Sequence, residues 1–186
     1  PTDLNLSWGG NLKLIRDNSA ILGYESPSSG LVLLSALSSH EDGLAVGSAL
    51  NALSGDSSRE TLAASPDSAG PMSMADIDGD GDLDLFVGGR VIPSQYPMAP
   101  GSRLLINDWK GIFIDKTTIL APTLKGAGMV TGAIWSDADN NGWLDLLLTR
   151  EWGSVALYLN FEGKLEDRTI EAGLAERTGW WNGITG

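Results

Sequence analysis

A nine-residue aspartate-rich stretch, residues 76–84, constrains the fold of this chain more than any other feature. Five of its nine residues are aspartates, and neighbouring carboxylates repel one another unless a cation lies among them. Acids at loop positions 1, 3 and 5, a glycine at 6, a backbone carbonyl at 7 and an acid at 9 form a calcium-binding pattern. The predicted ligands are Asp76, Asp78, Asp80, Asp82 (through its carbonyl) and Asp84.

The pattern recurs in register 61 residues later, over residues 137–145. Its predicted ligands are Asp137, Asp139, Asn141, Trp143 (through its carbonyl) and Asp145. Oxygen ligands without nearby His or Cys favour Ca²⁺ over zinc or copper, so two structural calcium sites are predicted. The first loop carries one more side-chain carboxylate and is expected to bind the ion more tightly. The alternative is a pair of acidic surface turns without metal.

Neither loop is an EF-hand, because position 12 is Val87 in the first copy and Leu148 in the second. Each loop is followed by a short apolar run rather than a helix, which is typical of a β-strand. The loops are therefore predicted to connect consecutive strands.

A longer repeat surrounds the loops. Residues 101–107 align with residues 153–159 at an offset of 52, and the same offset relates three later pairs: Gly111 with Gly163, Asp115 with Asp167, and Thr117 with Thr169. The first unit is predicted to hold strands at about 71–75, 83–88, 102–107 and 112–117. The second is predicted to hold strands at about 130–136, 143–149, 154–160 and 164–169.

Residues 1–70 contain no aspartate loop but several short apolar runs. Strands are predicted at 12–15, 20–24, 31–37, 44–47 and 49–53. A helix over 44–53 is an alternative that its glycines disfavour. Residues 55–70 are predicted to form a loop with one strand near 61–63.

Four-stranded units of 50–60 residues in tandem are typical of β-propeller blades. We therefore expect an all-β fold, a partial β-propeller of about three to four blades that belongs to a longer repeat protein. The expected units are degenerate blades without a calcium loop (1–70), a blade at 71–127, a blade at 128–178, and the first strand of a further blade (179–186). Open blade edges could support self-association.

Composition limits the classes of function. The 186-residue chain is 42% hydrophobic, carries a net charge of −12 and has no basic cluster, which argues against nucleic acid and anionic membranes as partners. No apolar run is long enough to insert into a membrane. The chain has no cysteine, and its one histidine, His40, lies in a polar turn, so the residues of common nucleophilic catalysis are scarce.

The strings at residues 76–89 and 137–148 resemble the FG-GAP/VCBS repeats of integrin α-chain propellers and of many secreted bacterial proteins. The strings at 87–93 and 179–183 are similar to long bacterial VCBS-repeat proteins, some of which carry an ASPIC/UnbV domain. This resemblance implies a seven-bladed propeller in the parent protein, calcium between the first two strands of a blade, and an extracellular, cell-surface or periplasmic location. It implies no catalytic residue.

The first functional hypothesis is a non-catalytic, calcium-binding propeller segment in extracellular recognition or adhesion, with a protein or carbohydrate ligand. The alternative is a carbohydrate-active enzyme with its site on the propeller face, and a third option is a scaffold without a ligand. Arg90 and Tyr96, in a proline-rich insertion, are candidate ligand-binding residues, although Arg90 could instead pair with a nearby carboxylate. The five tryptophans at 135, 143, 152, 180 and 181 are expected mainly to pack between blades, with one of the last two open to a sugar.

Overall fold

The computed structural model describes residues 18–26, 29–38, 48–54, 57–63 and 68–185. This part of the chain is all-β, with three four-stranded antiparallel sheets and one two-stranded sheet, none of which closes on itself. It also contains two short helices, neither of which is long and apolar enough to cross a membrane.

The first sheet consists of β1 (Asn18–Ser26), β2 (Gly30–Leu37), β3 (Ser48–Ser54) and β4 (Ser57–Ala63), in that order. The strands predicted at 20–24, 31–37 and 49–53 are confirmed. The helical alternative is wrong over 48–53, because β3 pairs with both β2 and β4. The strand predicted near 61–63 is confirmed as the end of β4, but the loop predicted over the rest of 55–70 is wrong over 57–60 and 68–70, which lie in strands, since an edge strand such as β4 tolerates polar residues. The strands predicted at 12–15 and 44–47, and His40, lie outside the described residues.

The second sheet consists of β5 (Ser68–Ala75), β6 (Asp84–Val91), β7 (Arg103–Ile106) and β8 (Ile114–Asp115). All four predicted strands are present with shifted bounds. The last is shorter than expected because α1 begins at Thr117 (Thr117–Leu120), and a 3-10 helix follows (Pro122–Gly126). These helices connect the second sheet to the third.

The third sheet consists of β9 (Met129–Ser136), β10 (Asp145–Glu151), β12 (Ala156–Phe161) and β13 (Lys164–Asp167). Its four predicted strands are also present. A two-residue strand, β11 (Gly153–Ser154), pairs instead with β14 (Thr178–Gly179). The strand predicted over 179–186 corresponds only to β14, and the described residues 180–185 contain no strand.

The first strands of the three sheets lie side by side, β1 against β5 and β5 against β9. Adjacent residues of the second sheet face different neighbours: Leu85 packs into the core shared with the first sheet, and Phe86 packs into the core shared with the third. Leu105 and Leu104 divide in the same way. This two-sided burial explains why β6 and β7 are continuous apolar runs rather than alternating ones.

The repeat produces equivalent hydrogen bonds in the second and third sheets. The amide of Thr117 donates to Asp115 at 3.0 Å, and that of Thr169 donates to Asp167 at 3.0 Å. Each threonine hydroxyl accepts from an amide of the third strand, that of Leu104 at 2.8 Å and that of Leu157 at 3.1 Å. The offset of 52 is therefore confirmed for Asp115 with Asp167 and for Thr117 with Thr169, whereas the two leucines are 53 residues apart.

Inside the third strands, however, the predicted alignment is wrong by one residue. Leu85 pairs with Leu105, and the equivalent Leu146 pairs with Tyr158, so the offset between β7 and β12 is 53. A one-residue slip moves every side chain of a strand to the other face. The turn before the last strand is one residue shorter in the third sheet, which restores the offset of 52 afterwards.

Candidate metal centres

The first aspartate loop connects β5 to β6 and brings together three of the five predicted aspartates. One carboxylate oxygen from each of Asp76, Asp78 and Asp84 lies within 4.8 Å of the others. Asp76 shapes the loop by accepting hydrogen bonds from the amides of Gly79 at 2.8 Å and Gly81 at 3.0 Å. Both glycines have positive φ, 77° and 94°, a conformation that other residues rarely adopt.

Asp84 is the buried member of this cluster, with only 1% of its surface exposed. It accepts hydrogen bonds from the amides of Asn107 at 2.9 Å and Ile77 at 3.2 Å. Burial outweighs these bonds, and with the nearby charges of Asp78 and Asp82 it raises the pKa of Asp84 to about 7. A cation in the cluster would reverse this effect by favouring the carboxylate.

The side chains of Asp80 and Asp82 lie outside the convergent group. Asp80 accepts from the amide of Asp82 at 2.9 Å, and Asp82 accepts from the amide of Trp109 at 2.6 Å. The other carboxylate oxygen of Asp82 is buried without a hydrogen-bond partner among the described residues. Burial raises the pKa of Asp82, partly offset by the Trp109 amide.

The second loop connects β9 to β10 and repeats this geometry with Asp137, Asp139 and Asp145, whose oxygens also lie within 4.8 Å of one another. Asp137 accepts from the amides of Asn141 at 3.0 Å and Gly142 at 3.1 Å. The bond from the position-6 glycine is therefore equivalent in both loops, whereas the other amide belongs to position 4 in the first loop and to position 5 in the second.

The last acid of the second loop also has the same partners as its counterpart. Asp145 accepts from the amides of Asn160 at 2.7 Å and Ala138 at 2.8 Å. The Asn141 amide group donates to Asp139 at 3.2 Å, and its carbonyl accepts from the Trp143 amide at 2.8 Å. Asn141 therefore supports the loop through hydrogen bonds.

Each triad could bind a metal ion. The donor atoms are carboxylate oxygens, which are hard ligands suited to Ca²⁺ or Mg²⁺ rather than to thiophilic metals. In each triad the ninth-position acid is buried, and in both it is held by two backbone amides. The donor set thus fits the predicted kind of ion.

Asn160 joins the two loops, although no sequence pattern described above indicates it. Its fully buried amide donates to the carbonyl of Ile77 in the first loop at 2.8 Å and to that of Leu144 beside the second at 3.1 Å. Its carbonyl accepts from the amide of Gly163 at 2.9 Å. Asn107 is its counterpart in the second sheet, and the correct offset of 53 would have revealed the pair.

The candidate ligand-binding residues Arg90 and Tyr96 lie at the opposite end of the sheets and meet at a carboxylate. An Arg90 guanidinium nitrogen lies 2.6 Å from Glu151, and the Tyr96 hydroxyl donates to the other Glu151 oxygen at 2.8 Å. The pairing of Arg90 with a carboxylate is confirmed. Neither Glu151 nor the adjacent Trp152 was identified from the sequence as part of this arrangement.

Three tryptophans are more exposed than packing between blades predicts. Trp152 is 62% exposed, Trp180 58% and Trp181 37%. Trp180 and Trp181 were expected to alternate across the strand predicted over 179–186, with one facing the blade core; this expectation is wrong, because both lie beyond β14. Trp135 and Trp143 are half-buried.

Comparison with known proteins assigns no family to this chain. No protein-family model matches it, and no curated protein matches it. The ion and the ligand are therefore inferred from the geometry of the two ends of the sheets.

Proposed function

We propose that this chain is a calcium-stabilised, non-catalytic segment of an FG-GAP/VCBS-type β-propeller that serves in extracellular, cell-surface or periplasmic recognition. The observation that carries this proposal is the pair of oxygen-only triads at the same place in two consecutive sheets. A protein that repeats an acidic cluster of this kind needs a counter-charge at each copy.

The sheet arrangement supports the propeller part of the proposal. Each four-stranded sheet is a meander, the first strands of successive sheets are neighbours, and the middle sheet is buried on both faces. These are the features of blades placed side by side around an axis. The outer faces of the first and third sheets would then be covered by further blades or by a second copy.

The loops support a structural role for the ion. The aspartates that would bind it are also the residues whose hydrogen bonds shape each turn, so ion binding and loop folding are coupled. Calcium loops of this class bind in the micromolar to millimolar range, which suits a compartment outside the cytosol.

Thermal unfolding after chelation, followed by calcium titration, tests the proposal. Stabilisation by an ion at 100 times its dissociation constant is about 2.7 kcal/mol per site, and 1 kcal/mol corresponds to roughly 2–4 °C for a domain of this size. We therefore expect the midpoint to rise by about 10–20 °C with two ions bound, and by less with magnesium. An unchanged midpoint, with no ion bound at equilibrium, would refute the proposal.

A carbohydrate-active enzyme is the alternative. Glycoside hydrolysis ordinarily needs two carboxyl groups across the scissile bond. The structure has a groove lined by Tyr96, Glu151 and Trp152, among other residues. Among the described residues its lining contains one carboxylate, that of Glu151, which pairs with Arg90. A screen for hydrolysis of polysaccharides distinguishes the two functions, since the proposed one predicts binding without turnover.

A further inference from the structure

A groove lies at the end of the sheets opposite the aspartate loops, between the proline-rich insertion and the β10–β11 connection. It has a volume of about 430 Å³ and is lined mainly by Tyr96, Pro97, Gly128, Met129, Glu151 and Trp152. Small-molecule sites of this size, largely apolar with a few fixed polar groups, are common in proteins. We propose that this groove binds a neutral pyranose unit of a saccharide.

The groove presents aromatic surface to solvent. Trp152 is 62% exposed and Tyr96 is 54% exposed. The ring of Trp180, 58% exposed, lies 4.8 Å from that of Trp152 and extends the surface beyond the groove. Clustered exposed rings on a protein mark a binding surface more often than isolated ones do.

Polar groups hold these rings in place. Glu151 is only 6% exposed; Tyr96 binds one of its oxygens and Arg90 the other. The indole nitrogen of Trp152 donates to the Tyr96 hydroxyl, which links the ring to the same carboxylate. Trp152 also has a positive φ of 59°, a backbone conformation that must be held by its surroundings. The groove is thus organised before a ligand arrives, which lowers the entropic cost of binding.

The balance of charges selects the ligand class. The one charged residue of the described lining, Glu151, is paired with Arg90, which leaves no unpaired carboxylate in that lining for a quaternary ammonium. Arg150, behind Gly128, already donates to Ser154 and to the Ala127 carbonyl, which leaves it less available to a phosphate. Arg90, which is outside the lining but bonded to Glu151 and 37% exposed, has further N–H donors, and the Tyr96 oxygen in the lining has a further acceptor position. A sugar ring fits both features, because its C–H face packs on an aromatic ring and its hydroxyl groups both donate and accept.

This inference depends on the proposed recognition role and specifies its ligand. It does not depend on the calcium sites, which lie at the other end of the sheets. The two ideas can therefore fail separately.

The test uses the whole calcium-loaded chain and neutral trisaccharides of glucose, mannose, galactose and N-acetylglucosamine. Binding is followed by saturation-transfer NMR and tryptophan fluorescence up to about 10 mM, which covers millimolar dissociation constants. At least one trisaccharide is expected to bind. Trp152→Ala should weaken binding at least about tenfold, whereas Trp152→Phe, which retains a ring, should lose less.

Phe161→Ala is the matched control, since Phe161 is an exposed aromatic residue at the loop end and should not change binding. Trp180→Ala, at a second exposed position, replaces Trp152→Ala if that variant does not fold.

The proposal would be overturned if no trisaccharide binds, or if Trp152→Ala and Trp180→Ala both leave binding unchanged. Binding of a proline-rich peptide in place of a saccharide, or occupation of the groove by a second copy of the chain, would also overturn it. The calcium-dependent rise in thermal midpoint is measured in each variant. Absence of that rise would count against the proposed calcium-stabilised function, not against saccharide binding.

Discussion

The two aspartate loops share a pattern and a hydrogen-bond arrangement, yet they occupy different environments. At position 2 of the loop, Ile77 is fully buried, whereas its counterpart Ala138 is exposed. The first loop contacts the third sheet through the Asn160 bond to Ile77, and the Trp143 ring of the second loop would be 3.1 Å from a side chain added at Gly79. At position 6, a side chain added at Gly81 would lie 3.4 Å from the Trp109 ring, whereas one added at the equivalent Gly142 would meet no described atom within 4 Å.

The difference shows that the local motif determines the shape of a loop. The position of the loop in the fold determines how strongly its folding is coupled to the neighbouring sheet. The first loop is bonded to the next sheet through Asn160, so its folding depends on that sheet. The second loop depends mainly on its own strands. Substitutions at equivalent positions should therefore have unequal effects.

The largest expected effect is at the asparagine that joins the loops. Asn160→Leu would leave two carbonyls and one amide without partners in a buried position, at about 1–3 kcal/mol each. We expect the free energy of unfolding to fall by about 4 kcal/mol, measured by urea denaturation. Asn107→Leu is the matched control; the Asn107 side chain donates to the Leu83 carbonyl at 3.3 Å and accepts from the adjacent Asp108 amide at 2.9 Å, both part-buried, so its loss should cost less, about 2 kcal/mol. Equal losses would show that the two loops are not coupled through Asn160.

The next effect concerns the pH dependence of the calcium-free protein. Burial raises the pKa of Asp84 to about 7, above its ordinary value of 3.8. The protonated form therefore stabilises the fold fully below about pH 4, and this contribution is lost as the pH rises through 7. We expect the free energy of unfolding to decrease by on the order of 2–3 kcal/mol over this range through Asp84 alone.

Urea denaturation of the wild type and of Asp84→Asn is measured at several pH values. The contribution of Asp84 is the difference between the two proteins in the slope of the free energy of unfolding against pH. Saturating calcium should remove the difference, because the ion favours the carboxylate. Identical slopes for the two calcium-free proteins would show that the pKa of Asp84 is not raised in the folded protein.

Calcium affinity offers a third comparison, at position 3 of each loop. Asp78→Ala and Asp139→Ala each remove one carboxylate of a triad, and each is expected to weaken its own site about 30-fold, or ~2 kcal/mol. Isothermal titration calorimetry should then show one remaining site in each variant. The first substitution should also lower the thermal midpoint more, since its loop contacts the third sheet. A greater loss for Asp139→Ala would reverse the proposed ranking of the loops.

The smallest effects are expected at two glycines with positive φ. Gly142→Ala has open space around it and should cost about 1 kcal/mol of backbone strain. Gly163→Ala has the same strain, and its new carbon would also lie 3.1 Å from the Cβ of Asp78. It should cost a few tenths to 1 kcal/mol more and weaken calcium binding at the first loop. Thermal denaturation with and without calcium measures the stability and the calcium response of each variant. Equal midpoints for Gly142→Ala and Gly163→Ala would show that the contact with Asp78 is unimportant.

Much of the architecture followed from local patterns. The aspartate spacing located both strand connections, and the apolar runs predicted every strand of the second and third sheets to within a few residues. The apolar runs predicted only the end of β4, near 61–63, because its first residues are polar, and they gave no sign of the helix at Thr117–Leu120, which is too short to show a period. The repeat alignment also misplaced one strand by a residue, which hid Asn160.

The sequence by itself determined the two loops, because a turn built from aspartates and glycines needs only residues close together in the chain. Only the tertiary structure decided which loop is buried and which carboxyl group has its pKa raised. It alone brought Arg90 and Tyr96 to Glu151, 55 residues beyond Tyr96 in the chain. These outcomes depend on how one sheet packs against the next, and contacts between distant residues are not encoded in the spacing of any one segment.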